Sequence, residues 1–224
     1  MKQEEGRFIA HEEKGEVSSL LYAPEEARAL LVLGHGAGAC MRHQNMENIA
    51  LAMAARRVAT FRYQFPYMEP GGGRDAVAVS LSTVKAAIRT ARERLGELPL
   101  LAGGHSFGGR MTSLASVEED FPAVQGLIFF SFPLHAPGKP TLKRAEHLPD
   151  IPFPMLFLSG DRDTFTQRDL YIPLIESLGE KARLHLLETG NHGYKILKRT
   201  RTNPEDIFTE MGGVVDDWLS GLGV

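Results

Sequence analysis

Short apolar runs alternate with longer stretches of helical period along most of this chain, and that alternation restricts its architecture more than any other feature. The runs are ALLVLG, VATFRYQF, LPLLAGG, VQGLIFFSF, FPMLFLSG and ARLHLLE. Most are continuously apolar, the pattern of strands buried on both faces. Helices are expected over Gln44–Ala55, over Asp75–Leu95, from within GHSFGGRM, over Gln167–Leu178 and over Pro204–Leu219. In the second of these, Val77, Leu81, Val84, Ile88 and Leu95 share one face. Pro173 should limit or kink the fourth. Asn203 is a candidate N-cap for the last, with Pro204 at its first position. Two modest strands, near Arg7–Ala10 and Val17–Tyr22, precede the series. Strands alternating with helices imply an α/β fold, a mostly parallel, doubly wound sheet covered on both faces. No repeat, low-complexity segment or linker divides the chain, so residues 1–224 read as one domain.

Ligands of such sheets bind beyond the carboxyl ends of the strands, so chemistry is sought just after each run. After LPLLAG comes Gly104-His105-Ser106-Phe107-Gly108, a G-x-S-x-G between a strand and a helix. The glycines permit a turn too tight for side chains, and the strained turn presents the Ser106 hydroxyl above the sheet. Ser106 is the candidate nucleophile. A hydroxyl is weak until a base takes its proton, and the base needs a carboxylate to orient it. In this arrangement the chain order is serine, acid, histidine. Asp161-Arg162-Asp163 follows FPMLFLSG, and Thr189-Gly190-Asn191-His192-Gly193-Tyr194 follows ARLHLLE. His192 is the candidate base. Asp163 is favoured over Asp161 because it lies further past the strand end, where its carboxylate can turn toward an imidazole. The loop Gly34-His35-Gly36-Ala37-Gly38-Ala39-Cys40 is small enough to approach the serine turn. The backbone N–H groups of Ala37 and Phe107 are therefore the candidate oxyanion hole.

Rival motifs are weaker. Gly34-x-Gly36-x-x-Ala39 fits a dinucleotide fingerprint, but it follows the third strand, and VATFRYQF ends without an acid for a ribose. A nicotinamide-dependent reductase on this reading would bind NADPH. Gly104–Gly109 resembles a phosphate loop, but Arg110 and Met111 stand where lysine and Ser/Thr are required. The histidines are dispersed and there is no cysteine pair, so no metal and no cofactor are expected. Cys40 reads as a small packed residue. With a formal charge of −3, no nucleic-acid surface is advertised. The run Lys195, Lys198, Arg199, Arg201 reads as a solvated face. A single cysteine, a charged N-terminal stretch and the lack of a bilayer-length apolar run point to a cytoplasmic protein with no membrane partner.

GHGAG, GGHSFGGR, SGDRD and GNHGY together resemble the small α/β-hydrolases related to dienelactone hydrolase. The likeness runs from about Ala29 to the C-terminus. FPLHAPGKP and EHLPDIPFPMLFLSG resemble the branch that includes an NSL chromatin-complex subunit. The resemblance implies an α/β-hydrolase fold without a cap domain and a triad of Ser106, Asp163 and His192. Dienelactone hydrolases proper use a cysteine nucleophile, so lactone hydrolysis is not implied. The expected activity is hydrolysis of small esters or thioesters through an acyl-enzyme, with a small-molecule acyl substrate as partner. Because the branch also contains scaffolding members, a catalytically silent interaction protein is the alternative. The oligomeric state has no signature in the sequence. Residues 133–152, with Pro133, Pro137, Pro140 and Pro149, are too few for a helical lid, so an open site is expected. Phe107, Met41, Phe165 and Tyr194 are candidate pocket walls.

Overall fold

The computed structural model describes residues 2–224. Eight strands form one sheet: β1 (Lys2–His11), β2 (Gly15–Ala23), β3 (Ala29–Gly34), β4 (Val58–Tyr63), β5 (Leu100–His105), β6 (Val124–Phe130), β7 (Met155–Gly160) and β8 (Ala182–Leu187). Their spatial order is β1-β2-β4-β3-β5-β6-β7-β8. β1 pairs antiparallel with β2, and β2 with β4; every other pairing is parallel. Strand order reverses around β3, which places β5 at the centre of the parallel part.

Five α-helices cover the two faces: α1 (Gln44–Ala54), α2 (Val77–Arg94), α3 (Phe107–Glu118), α4 (Arg168–Ser177) and α5 (Ile207–Gly221). Successive side chains of a strand point to opposite faces, and the core divides accordingly. Leu30 and Val32 pack with Leu81, Val84 and Met111 beneath α2 and α3. Leu31 and Leu33 pack with Ile49, Met53 and Trp218 beneath α1 and α5. A strand that serves two layers cannot alternate apolar with polar, which is why ALLVLG and MLFLSG are fully buried.

Three expectations are corrected. β1 spans Lys2–His11, well beyond Arg7–Ala10, because an in-register ladder from Lys2–Ala23 onward holds residues that bury little. Val77 is 49% exposed, so the buried face of α2 starts at Val79. α5 begins at Ile207 rather than Pro204. The Asp206 carboxylate caps it by accepting from Phe208 N–H, whereas the Asn203 side chain accepts from Glu205 N–H in a separate turn. The Glu188 carboxylate accepts from Thr202 and Asn203 N–H and draws that segment into the loop instead. α4 continues through Pro173.

Residues 131–154 form no lid. They run as an irregular strap with one short 3-10 turn at Leu148–Asp150. Leu134, Ala145, Leu148 and Ile151 are buried in the layer that contains α3. Among the described residues, no helix is long and apolar enough to cross a membrane.

Candidate active site

Ser106 occupies the junction between β5 and α3 with φ 50° and ψ −109°. A side chain pays for positive φ, so the turn must be held from outside. Ser106 N–H donates to Phe130 C=O at 2.8 Å, and Arg110 N–H to Ser106 C=O at 3.0 Å. The glycines allow close approach. A Cβ on Gly104 would lie 2.6 Å from the Gly108 carbonyl carbon, and one on Gly108 would lie 2.3 Å from that of Gly34. A serine before a helix normally accepts from the first-turn N–H groups. Ser106 makes no such cap. The turn aims its Oγ elsewhere, 2.8 Å from Nε2 of His192.

The other imidazole nitrogen, Nδ1 of His192, lies 2.7 Å from Oδ2 of Asp163. A carboxylate only accepts, so Nδ1 carries the proton and Nε2 presents a lone pair to the hydroxyl. The Asp163 side chain is fully buried, and its second oxygen accepts from Phe165 N–H at 2.8 Å. Asp161, two residues earlier, makes no contact with the imidazole; its Oδ1 is buried without a hydrogen-bond partner. The structure thus brings Ser106, His192 and Asp163 into one line, with Asp161 outside it.

The His192 loop is fixed by several contacts. The Asn191 side chain accepts from Gly193 and Lys195 N–H at 3.0 and 2.9 Å, and Asn45 Nδ2 donates to Gly193 C=O at 3.0 Å. Phe165 stacks on the imidazole with centroids 4.2 Å apart. The imidazole stays accessible, with 21% of the side chain exposed. Two further histidines, not singled out in the sequence, brace the site. His105 donates from Nε2 to His192 C=O at 3.0 Å. His35 donates from Nδ1 to Gly36 C=O at 2.8 Å and accepts Phe65 N–H on Nε2 at 3.1 Å. Their signal was available: a histidine at the end of a fully buried strand must find partners.

The loop after β3 lies against the serine turn. A Cβ on Gly36 would be 2.9 Å from Nδ1 of His105 and 3.8 Å from Cβ of Ser106. Met41 N–H donates to Gln64 and Met41 C=O accepts from Arg62, which anchors the loop's far end. Among the described residues, the N–H groups of Phe107 and Ala37 have no protein acceptor. Phe107 is half-buried against Phe65 and Tyr67. Met41 lines a cavity of about 710 Å³ with Cys40, Gln64 and Met68. Tyr194 is not a pocket wall: it is buried in the core, and its hydroxyl donates to Leu158 C=O at 3.2 Å. Among the described residues, no group of His, Cys, Asp and Glu could hold a metal ion.

Burial pushes His35 down to about 4, against its hydrogen bond to Gly36. Burial and then neighbouring His192 push His105 down to about 4; burial and then Arg110 do the same to His147. A histidine held neutral in the folded protein takes up a proton on unfolding below its ordinary value of 6.5. Its contribution is therefore complete above pH 6.5 and is lost as pH falls toward 4. For His35 that loss reaches about 3 kcal/mol. Melting temperature should fall steeply between pH 6.5 and 4.5, and a curve flat across that range would contradict neutral burial of these rings.

Comparisons with known proteins bear on the family and the fold. The model of a family described as alpha/beta hydrolase domain matches residues 27–220. The esterase domain of a Rhodothermus marinus protein superposes with a TM-score of 0.71 at 16% identity, covering 97% of this chain and 98% of that one. A serine hydrolase without lid from Xanthomonas campestris gives 0.74 at 16% identity, with 99% and 95% covered. A dienelactone hydrolase from Anabaena variabilis gives 0.70 at 16% identity, with 99% of each covered. At such identity the structural likeness carries the fold.

Proposed function

Because this chain belongs to the alpha/beta hydrolase family, in its small lidless branch, we propose that it is a serine hydrolase cleaving small esters or thioesters through an acyl-enzyme on Ser106. The observation that carries this reading is the continuous relay from Ser106 Oγ to His192 at 2.8 Å and on to Asp163 at 2.7 Å. Ser106 Oγ attacks the carbonyl carbon as His192 Nε2 takes its proton. Asp163 stabilises the imidazolium and fixes its tautomer. We assign the negative carbonyl oxygen to the N–H of Phe107, at the start of α3, and to the N–H of Ala37, on the loop after β3. His192 then protonates the leaving alcohol or thiol, and the acyl group remains on Ser106. Water repeats the sequence with His192 as base and releases the acid. No cofactor or metal enters these steps. A cytoplasmic location, expected from the lone cysteine, is part of this reading.

The substrate range follows from the strap. Leu134, Ala145, Leu148 and Ile151 are committed to the core and are not available to cover an acyl chain. Burying each CH₂ is worth roughly 0.8 kcal/mol, so a deep apolar tunnel would raise kcat/KM steeply with chain length. An open site forgoes that gain after the first few carbons. The expected result across p-nitrophenyl esters from acetate to decanoate is a preference for roughly two to four carbons, with no interfacial activation. The series is measured below the critical micelle concentration. A rise of several decades toward decanoate would overturn the open-site reading, and no turnover of any ester would overturn the hydrolase itself.

A further inference from the structure

The two oxyanion donors come from separate elements, the loop after β3 and the start of α3, so their spacing depends on what joins those elements. The near end of the loop is oriented through one peptide. Gly36 C=O accepts from His35 Nδ1–H at 2.8 Å and from Ala39 N–H at 3.0 Å. A trans peptide is planar, so the Ala37 N–H on its other side points away from both of those donors. Beyond it, Ala37 and Gly38 are exposed and Ala39 and Cys40 are half-buried, and their small side chains anchor little. The next buried residue is Met41. The far end of the loop is therefore placed by whatever holds Met41.

Met41 is held on both sides from the end of β4. Its N–H donates to Gln64 Oε1 at 3.0 Å, and its C=O accepts from Arg62 Nη1 at 3.1 Å. Gln64 reaches further than this loop. Its Nε2 donates to Met68 C=O at 2.9 Å, at the end of the 3-10 turn Pro66–Met68. That turn carries Tyr67, whose ring packs edge-on against Phe107 with centroids 5.8 Å apart. Phe107 carries the second oxyanion donor. The backbone of Gln64 is itself fixed, because its N–H donates to Ser18 C=O on β2 at 2.9 Å. The residue is only 9% exposed, and a buried amide needs partners for both its oxygen and its nitrogen. Here the two atoms serve two different elements, one accepting and one donating. Among the described residues Gln64 makes no hydrogen bond to Ser106, His192 or Asp163.

We infer that Gln64 is a positioning residue for acyl transfer: its side chain ties the loop that carries the Ala37 N–H to the turn that packs on Phe107, and so fixes the spacing of the two oxyanion donors. Arg62 supports the same loop through Met41 C=O. This rests on the hydrolase reading, with Ala37 and Phe107 as the hole, and adds to it the side chain that sets the geometry of the hole.

p-Nitrophenyl butyrate and its thiono analogue, with sulfur in place of the carbonyl oxygen, test this role. Sulfur is a weak acceptor and sits further from carbon, so the thionoester gains little from a hole built for oxygen. The wild type is expected to favour the oxoester in kcat/KM. Gln64→Leu keeps the bulk of the side chain and removes both hydrogen bonds. It should lower kcat/KM for the oxoester by about tenfold to a hundredfold, somewhat less than outright loss of an oxyanion donor. The thionoester should change by less than about threefold, so the ratio of oxoester to thionoester falls. Arg62→Met removes the other hold on Met41; it should move the ratio the same way, and it decides the matter if Gln64→Leu does not fold. Val124→Ala opens a void at the start of β6, at the opposite edge of the sheet from Ser106. It should lower the melting temperature with the ratio unchanged, which separates positioning from a general loosening of the fold. A wild-type ratio in folded Gln64→Leu, or an equal fall in Val124→Ala, would overturn the role of Gln64 while leaving the hydrolase reading in place. If the wild type cleaves neither ester, the hydrolase reading falls and this role falls with it.

Discussion

Ser106→Ala lowers kcat for a short ester on the order of 10⁶-fold, while the protein melts no earlier than wild type. The loss is large because the serine, histidine and aspartate act as one unit: without Oγ there is no atom for His192 to activate. The folding side follows from the turn. Ser106 sits at φ 50° for the sake of where Oγ points, and it caps nothing. The core contacts of β5 and α3 lie in the neighbours that remain, Gly104, Gly108 and Met111. Steady-state kinetics and a melting curve on one preparation suffice. An alanine variant with full esterase activity would move the nucleophile elsewhere.

Asp163→Asn lowers kcat on the order of 10⁴-fold, and Asp161→Asn has a far smaller effect. Asp163 holds two acceptors in a fully buried place, one for Phe165 N–H at 2.8 Å and one for His192 Nδ1–H at 2.7 Å. An amide fills the same volume but puts an NH₂ group at one of those positions. The Phe165 N–H already requires an oxygen on its side, so the NH₂ faces the imidazole. His192 then carries its proton on Nε2, facing Ser106, and cannot act as base. Asp161 touches neither ring nor hydroxyl, so its amide changes nothing in the relay. The two variants are compared by kcat on one ester, with circular dichroism to confirm folding. The reverse order of losses would assign the role to Asp161.

Much of this architecture was legible because the governing signals are local. ALLVLG is β3 to the residue, and LPLLAGG and FPMLFLSG differ from β5 and β7 only at their ends. A strand buried on both faces and stopped by glycine has little freedom to be anything else. The site was legible for a related reason. Chemistry sits at strand ends, and the loops after β5, β7 and β8 carry Ser106, Asp163 and His192. What escaped depends on distant partners. β1 is a strand through its ladder with β2, not through its own pattern. Asn203 and Pro204 resemble a helix start until Glu188 takes the backbone N–H groups of Thr202 and Asn203. Tyr194 adjoins His192 in sequence yet points into the core. His105 and His35 brace loops that meet only in the folded chain.

The central claim is that Ser106 is an activated nucleophile, and covalent labelling tests it most directly. A fluorophosphonate reacts with a serine only where a base removes its proton and an oxyanion hole accepts the developing charge. Intact mass spectrometry after incubation should give one phosphonyl adduct per chain, with peptide mapping to Ser106 and no adduct on Ser106→Ala. Folded wild-type protein that stays unlabelled, or a label that persists in Ser106→Ala, would contradict the account.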